Sequence, residues 1–137
     1  MSSFKIFDIA GSGMNAQNLR LNVVASNLAN VDAVSSSIDA TYRSRQPVFR
    51  AVFDQANRGN PAVGVQMAGV VESEAPLVRE YAPNHALADD EGYIYRPNVN
   101  VVEEMANMIS ASRAYQNNVE VLNATRQMLS ATINLGR

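Results

Sequence analysis

A chain of 137 residues is one domain, or one small domain with long extensions, and 47 % apolar content is enough for a core. A net charge of −2 gives no electrostatic case for nucleic acid or an anionic membrane as partner. The absence of cysteine excludes disulfides, thiolate nucleophiles and zinc-thiolate sites.

No apolar run approaches the ~20 residues that span a bilayer, so the chain is not expected to be membrane-spanning itself. Asp8, Ser12, Asn15 and Asn18 interrupt the N-terminus too early for a cleaved secretory signal.

Residues Ser3 to Val31 read as a helix with a coiled-coil seam. Phe7, Met14, Leu21 and Leu28 stand seven apart, and Ala10, Gln17, Val24 and Val31 follow each by three. From Ile9 to Val31 the only charge is Arg20, and Asn15, Asn18, Asn22, Ser26, Asn27 and Asn30 supply the polar face. Gly11 and Gly13 each cost about 1 kcal/mol of helix relative to Ala, so this helix should be marginal by itself.

Asp32 to Thr41 has the composition of a loop. Tyr42 to Phe53 reads as extended, with Pro47 confining it to an edge or a break. Arg43, Arg45, Arg50 and Arg58 are a conceivable nucleic-acid patch, but a solvated strand edge fits the acidic whole better. Gln55 to Pro61 is a turn. Ala62 to Glu72 alternates, which puts Val63, Val65, Met67 and Val71 on one face. Leu77 to Tyr81 and Tyr93 to Arg96 are further strands, either side of the turn Asp89–Gly92. The expectation is a small β-rich module of about three short strands over 35–96, inserted between helical segments 1–34 and 97–137.

The last segment carries the strongest pattern. Val101, Met105, Met108, Tyr115, Val119, Leu122, Leu129 and Ile133 fit one stripe of alternating four and three steps, interrupted only at Ser112 and Arg126. Asn100 is a good N-cap, Glu103 completes a capping-box pattern, and Gly136 is a fitting stop. Between Met105 and Gly136 the only charges are Arg113, Glu120 and Arg126. The remaining polar positions, Asn117 among them, are mostly amides and hydroxyls. Such a face can be buried against another protein without ionic desolvation. The fold class expected is therefore α+β: long N- and C-terminal helices pairing as a coiled-coil hairpin around a β-rich middle.

Candidates for chemistry are few. His85 with Asp89, Asp90 and Glu91 is the one cluster resembling a metal site, but it lacks the ligand ladder of a calcium loop and the second His or Cys of a zinc site. A solvated turn is the better reading. Gly11-Ser12-Gly13 sits in a helical pattern with no preceding strand, so it is no phosphate loop. No serine has the elbow pattern that a triad with His85 would need. Met14, Met105, Met108 and Met128 fit helix packing better than a cofactor pocket. No catalytic, cofactor or metal residue is expected.

Three stretches resemble the bacterial flagellar basal-body rod proteins: GSGMNAQNLRLNVVASNLANVDAV (11–34), YRSRQPVF (42–49) and PNVNVVEEMANMISASRAYQNNVEVLNATRQMLSATI (97–133). Asn27-Leu28-Ala29-Asn30 is similar to the N-terminal signature of that superfamily. The Tyr-Arg-x-Arg-Gln and Pro-Asn-Val-x-Val-Val-Glu-Glu-Met segments resemble its proximal-rod branch. VDAVSSSIDATYR replaces the Thr-Thr/Ser-Gly-Tyr stretch usual after the signature. Residues 51–77 match only loosely.

The resemblance implies a non-enzymatic structural subunit of the rod, exported through the flagellar type III apparatus without a cleaved signal. It implies assembly in the periplasmic space with copies of itself, other rod proteins and the inner-membrane ring. The expected assembly interface is Phe7, Met14, Leu21, Val24, Asn27, Leu28, Asn30 and Val31 at one end. At the other it is Met105, Met108, Tyr115, Asn117, Val119, Leu122, Leu129 and Ile133. The rival readings are a soluble helical adaptor or regulator of a secretion system, and a small hydrolase built on His85 and the neighbouring carboxylates.

Overall fold

The computed structural model describes residues 3–53 and 63–136. The fold is α+β: α1 (Ser3–Ala29), β1 (Arg45–Phe53), β2 (Val63–Glu72), β3 (Val78–Tyr81), β4 (Tyr93–Arg96) and α2 (Val101–Leu135). The turn expected over Gln55 to Pro61, with Arg58, lies outside the described residues.

Asn100 caps the start of α2 as the sequence predicts, whereas among the described residues the Glu103 side chain returns no bond to the Asn100 N–H. Asn100 Oδ1 accepts from the N–H groups of Val102 and Glu103 at 3.1 and 3.3 Å. Two donors that a helix start leaves free are thereby satisfied, and Glu103 and Glu104 occupy the positive end of the helix dipole. From there α2 runs 35 residues, about 50 Å, to Gly136, whose N–H donates to the Ile133 carbonyl. The first helix stops two residues before the expected Val31. The Ser26 carbonyl accepts from both the Asn30 backbone N–H at 3.2 Å and its Nδ2 at 2.8 Å, and the next N–H, of Val31, turns to the Leu28 carbonyl three residues back.

The two helices pack against each other antiparallel. Gly13 meets Asn118, and Arg20 bonds to Asn107. The other side of α1 carries the β1–β2 ribbon, so α1 is covered on two sides and α2 on one.

The middle is two antiparallel ribbons rather than one sheet, β1 with β2 and β3 with β4. Among the described residues no strand of one ribbon approaches a strand of the other. The middle thus holds four strands where about three were expected. Pro47 sits in a two-stranded ribbon, where its missing N–H can face outward.

The strict alternation expected along β2 does not hold. Val48 pairs with Gly69 and Phe49 with Met67, which leaves Ala68 as an extra residue. The bulge shifts the parity, so Met67 and Val70 line the same groove against Leu19 and Val23 of α1. The β3–β4 ribbon is tied back by a bridge in which Ser35 and Tyr95 exchange both backbone bonds at 3.0 Å.

The core is thin. Among the described residues the buried apolar members are Ala10, Ala16, Val24, Ile94, Pro97 and Ala111, and five polar residues are buried with them: Asn27, Thr41, Ser44, Glu104 and Thr125. Of those five, the Asn27 side chain bonds across elements, to Arg45 and Tyr42.

Candidate assembly surfaces and the joint that orients them

Asn27 is the joint of the subunit. It is 0 % exposed, the largest fully buried side chain among the described residues. Its amide reads the Arg45 peptide as a β-strand would: Nδ2 donates to Arg45 O at 2.8 Å and Oδ1 accepts from Arg45 N at 2.9 Å. Tyr42 Oη donates to the same Oδ1 at 2.8 Å. A second amide grips the adjacent residue. Asn98 Oδ1 accepts from Ser44 N at 2.8 Å, while its Nδ2 donates to Ala75 O at 2.8 Å. An amide offers a donor and an acceptor at the spacing of a peptide group, so it can pair with backbone where no strand is available. These two amides join the end of α1, the start of β1, the end of β2 and the lead into α2.

The seam between the helices is unlike a hydrophobic zipper. The buried positions of α2 are Glu104, Ala111 and Thr125, and Asn118 falls on the same seven-residue spacing. That row is one residue off the apolar stripe read from the sequence. Met108, Val119, Leu122 and Leu129 flank the row and are half-buried, whereas Met105, Tyr115 and Ile133 stay exposed. The reason is close approach. A Cβ on Gly13 would lie 3.0 Å from Asn118 Nδ2, so the helices meet there through a glycine and an amide and leave no room for a bulky layer.

On α1, Phe7, Met14, Leu21 and Leu28 are half-buried and Val24 is buried; Asn30 and Val31, just beyond its end, are half-buried. Asn27 was expected at an assembly interface. Its side chain has no accessible surface and is spent inside the subunit, which corrects that expectation.

The exposed side of α2 carries apolar residues in two groups. Val102, Met105 and Ile109 follow steps of three and four near its start. Toward its end Val121, Met128 and Leu135 stand seven apart, all exposed, with exposed Ala124 and Ala131 between them. Asn117, also exposed, precedes Val121 by four on this side. The second stripe was missed in the sequence because a larger apolar stripe overlapped it; its three-and-four spacing was the available signal. Met128 is 60 % and Leu135 88 % exposed, so among the described residues this stripe is left largely uncovered.

The carboxylate turn has a structural occupation. Asp89 Oδ1 accepts from Glu91 N at 3.0 Å and Tyr93 N at 2.8 Å, and Oδ2 from Tyr95 Oη at 3.3 Å. Those bonds, Tyr93 first, hold its carboxyl below the usual aspartate range. His85 Nδ1 accepts from Leu87 N at 3.1 Å, and Glu91 pairs with Arg79 at 2.8 Å. No helix of the described residues is long and apolar enough to cross a membrane.

Residues 7–35 match the family described as Flagella basal body rod protein. Residues 90–135 match Flagellar basal body rod FlgEFG protein C-terminal. The chain is 49 % identical to the flagellar basal-body rod protein FlgC of Salmonella typhimurium, over 100 % of both chains. It is 50 % identical to that of Escherichia coli O157:H7, again over 100 % of both. With that of Borreliella burgdorferi it shares 33 % identity over 97 % of each chain. The chain belongs to the FlgC family of flagellar basal-body rod proteins, structural subunits of the basal body.

Proposed function

We propose that this subunit builds the rod by assembling with copies of itself and with other rod proteins through its terminal helices, in the periplasmic space, so that torque passes through their contacts. The observation that carries this reading is the outer face of α2. Val121, Met128 and Leu135 repeat every seven residues on an exposed flank of the helix that no described element covers. Seven-residue spacing suits another helix as partner. The thin core points the same way: a chain that buries chiefly alanines within itself needs neighbours to cover its larger side chains.

On this reading segments 1–34 and 97–137 pair as a coiled-coil hairpin, and 35–96 stands outside it. The accessible members of the expected interface, Met105, Tyr115, Asn117 and Ile133, face neighbouring subunits. Phe7, Met14, Leu21 and Leu28 would act from the flanks of the seam, as would Met108, Val119, Leu122 and Leu129. Contact with the inner-membrane ring, delivery by the flagellar type III export apparatus without a cleaved signal, and the absence of an enzymatic role belong to the same proposal. A subunit that works by packing needs dense contacts rather than a reactive group.

The test is polymer formation. Purified chain, concentrated alone and with another rod protein, is followed by light scattering and electron microscopy. Open helical polymers or rod-like assemblies support the proposal. A closed small oligomer at all concentrations would instead favour the helical adaptor.

A further inference from the structure

We propose that Glu104 is a pH-sensitive latch on the α1–α2 hairpin: neutral, its carboxyl stays in the seam beside Asn27; ionised, it loosens the first turns of α2 from α1. The geometry carries this. Glu104 is 4 % exposed, and its Oε2 has no hydrogen-bond partner. It occupies the same heptad row of the seam as Ala111, Asn118 and Thr125.

Among the described residues no charged side chain bonds to it. A pocket of about 290 Å³ brings Arg20 of α1, Arg45 of β1 and Glu103 of α2 to its side. Arg20 Nη2 is committed to Asn107 Oδ1 at 2.9 Å. Arg45 gives Nε and Nη2 to Glu72 Oε1 at 3.2 and 3.1 Å. Glu103 is a like charge. An ionised Glu104 would therefore be a buried carboxylate with one oxygen unmet, which the interior strongly disfavours. Burial accordingly pushes its carboxyl above the usual glutamate range. The Asn27 amide opposes that shift, Glu103 adds to it, and Arg20 opposes it.

The sign of the pH dependence follows from linkage. The closed hairpin holds the proton more tightly than the open chain does. Its contribution is complete below the ordinary glutamate pKa and is lost as pH rises through the value in the closed seam. Closure of the hairpin, and with it the presentation of the outer face of α2, becomes weaker at higher pH.

The full chain, kept dilute so that no polymer forms, is melted between pH 4.5 and 8 as wild type, Glu104→Gln and Glu103→Gln. The expected result is a wild-type Tm that falls as pH rises, and a Glu104→Gln Tm that falls less and exceeds the wild type at pH 8. Glu103→Gln removes a like charge that adds to the shift, so its slope should lie between those of the wild type and Glu104→Gln. Equal slopes for wild type and Glu104→Gln would overturn the proposal. So would a Glu104→Gln variant that melts below the wild type at every pH, because the carboxylate would then be paired with Arg20. A carbon-detected NMR titration of the Glu104 carboxyl reads the same group without a variant. A midpoint above the ordinary glutamate value supports the latch, and one at or below it overturns the latch. Dilution separates this result from the assembly reading, which stands or falls on polymer formation.

Discussion

The Asn118 amide lies 3.0 Å from the point that a Cβ on Gly13 would occupy, and its own Nδ2 is anchored to the Ala114 carbonyl at 2.9 Å. Gly13 is thus a packing residue, and Gly11, with nothing within 4 Å of its added Cβ, is not. The two glycines predict opposite behaviour. Gly11→Ala should stabilise the subunit by about 1 kcal/mol through helix propensity alone. Gly13→Ala makes the same gain but must displace an anchored amide from the tightest point of the seam. Its melting temperature should lie below that of Gly11→Ala and at or below the wild type. A thermal melt of both variants checks this, and equal gains would mean that Asn118 moves aside freely.

The paired amides Asn27 and Asn98 make a second contrast. Asn27→Ala would leave the Arg45 N–H and C=O without partners in a site that water does not reach. Each buried group left unmet costs about 1–3 kcal/mol. Asn98→Ala removes bonds of the same kind from a half-buried position, where water can replace some of them. Denaturant midpoints should therefore fall for both, and further for Asn27→Ala. Asn27→Asp keeps the acceptor but loses the donor to Arg45 O, and it adds a negative charge beside Glu104. It should not restore wild-type stability.

How much of this was legible in the sequence depends on how local the cause is. The start of α2 was legible because the Asn100 cap acts within one turn. The strands around Val63–Glu72 and Tyr93–Arg96 were legible because side-chain alternation and turn residues are local too. The seam was not. Periodicity identifies the most apolar stripe of a helix, and here the packed row holds Glu104, Ala111 and Thr125, one step away. What sets that row is the glycine on the other helix, and no window along α2 contains it. Asn27 misled for a similar reason. An amide in a polar stripe reads as surface, and only the arrival of Arg45 turns it inward. The bulge at Ala68 likewise belongs to a pairing rather than to β2 alone.

The β3–β4 turn should respond to acid. Hydrogen bonds from Tyr93 N, then from Glu91 N and Tyr95 Oη, hold the Asp89 carboxyl low, with Arg79 adding to the effect. A lowered folded value means that this support is present above the ordinary aspartate pKa and is lost as pH falls through the folded one. The amide signals of Glu91 and Tyr93 should shift together in that window, and Asp89→Asn should abolish the transition. Gly92 closes the same turn with φ of 82°. A Cβ there would lie 2.9 Å from the Tyr81 ring, so Gly92→Ala combines backbone strain with a clash. It should separate the Tyr81 and Tyr93 rings, now 5.1 Å apart, which their NMR shifts would report.

The remaining prediction separates folding of the subunit from its assembly, using two residues six apart on α2. Leu122 is half-buried beside the seam, and Met128 is exposed in the outer stripe. A carboxylate at 122 must either enter the seam unpaired or force the helices apart, at a cost of several kcal/mol. Leu122→Asp should therefore lower the melting temperature of the dilute subunit and prevent polymer formation. Leu28→Asp, on the facing helix, should do the same. Met128→Glu places its charge in solvent as long as the subunit is alone, so the dilute melt should match the wild type. If the outer stripe meets a helix in the assembly, that same charge becomes buried, and polymer formation should be lost. Asn117→Asp, on the same side, should impair assembly with little effect on the melt. Glu91→Ala is the control: its ion pair with Arg79 is exposed on a turn, where such pairs contribute about 0–1 kcal/mol. Light scattering and thermal melts of these five variants decide the matter. Met128→Glu polymerising as readily as Glu91→Ala would show that the outer stripe is bare in the assembly, and the contact surface would then have to be sought at Val102, Met105 and Ile109.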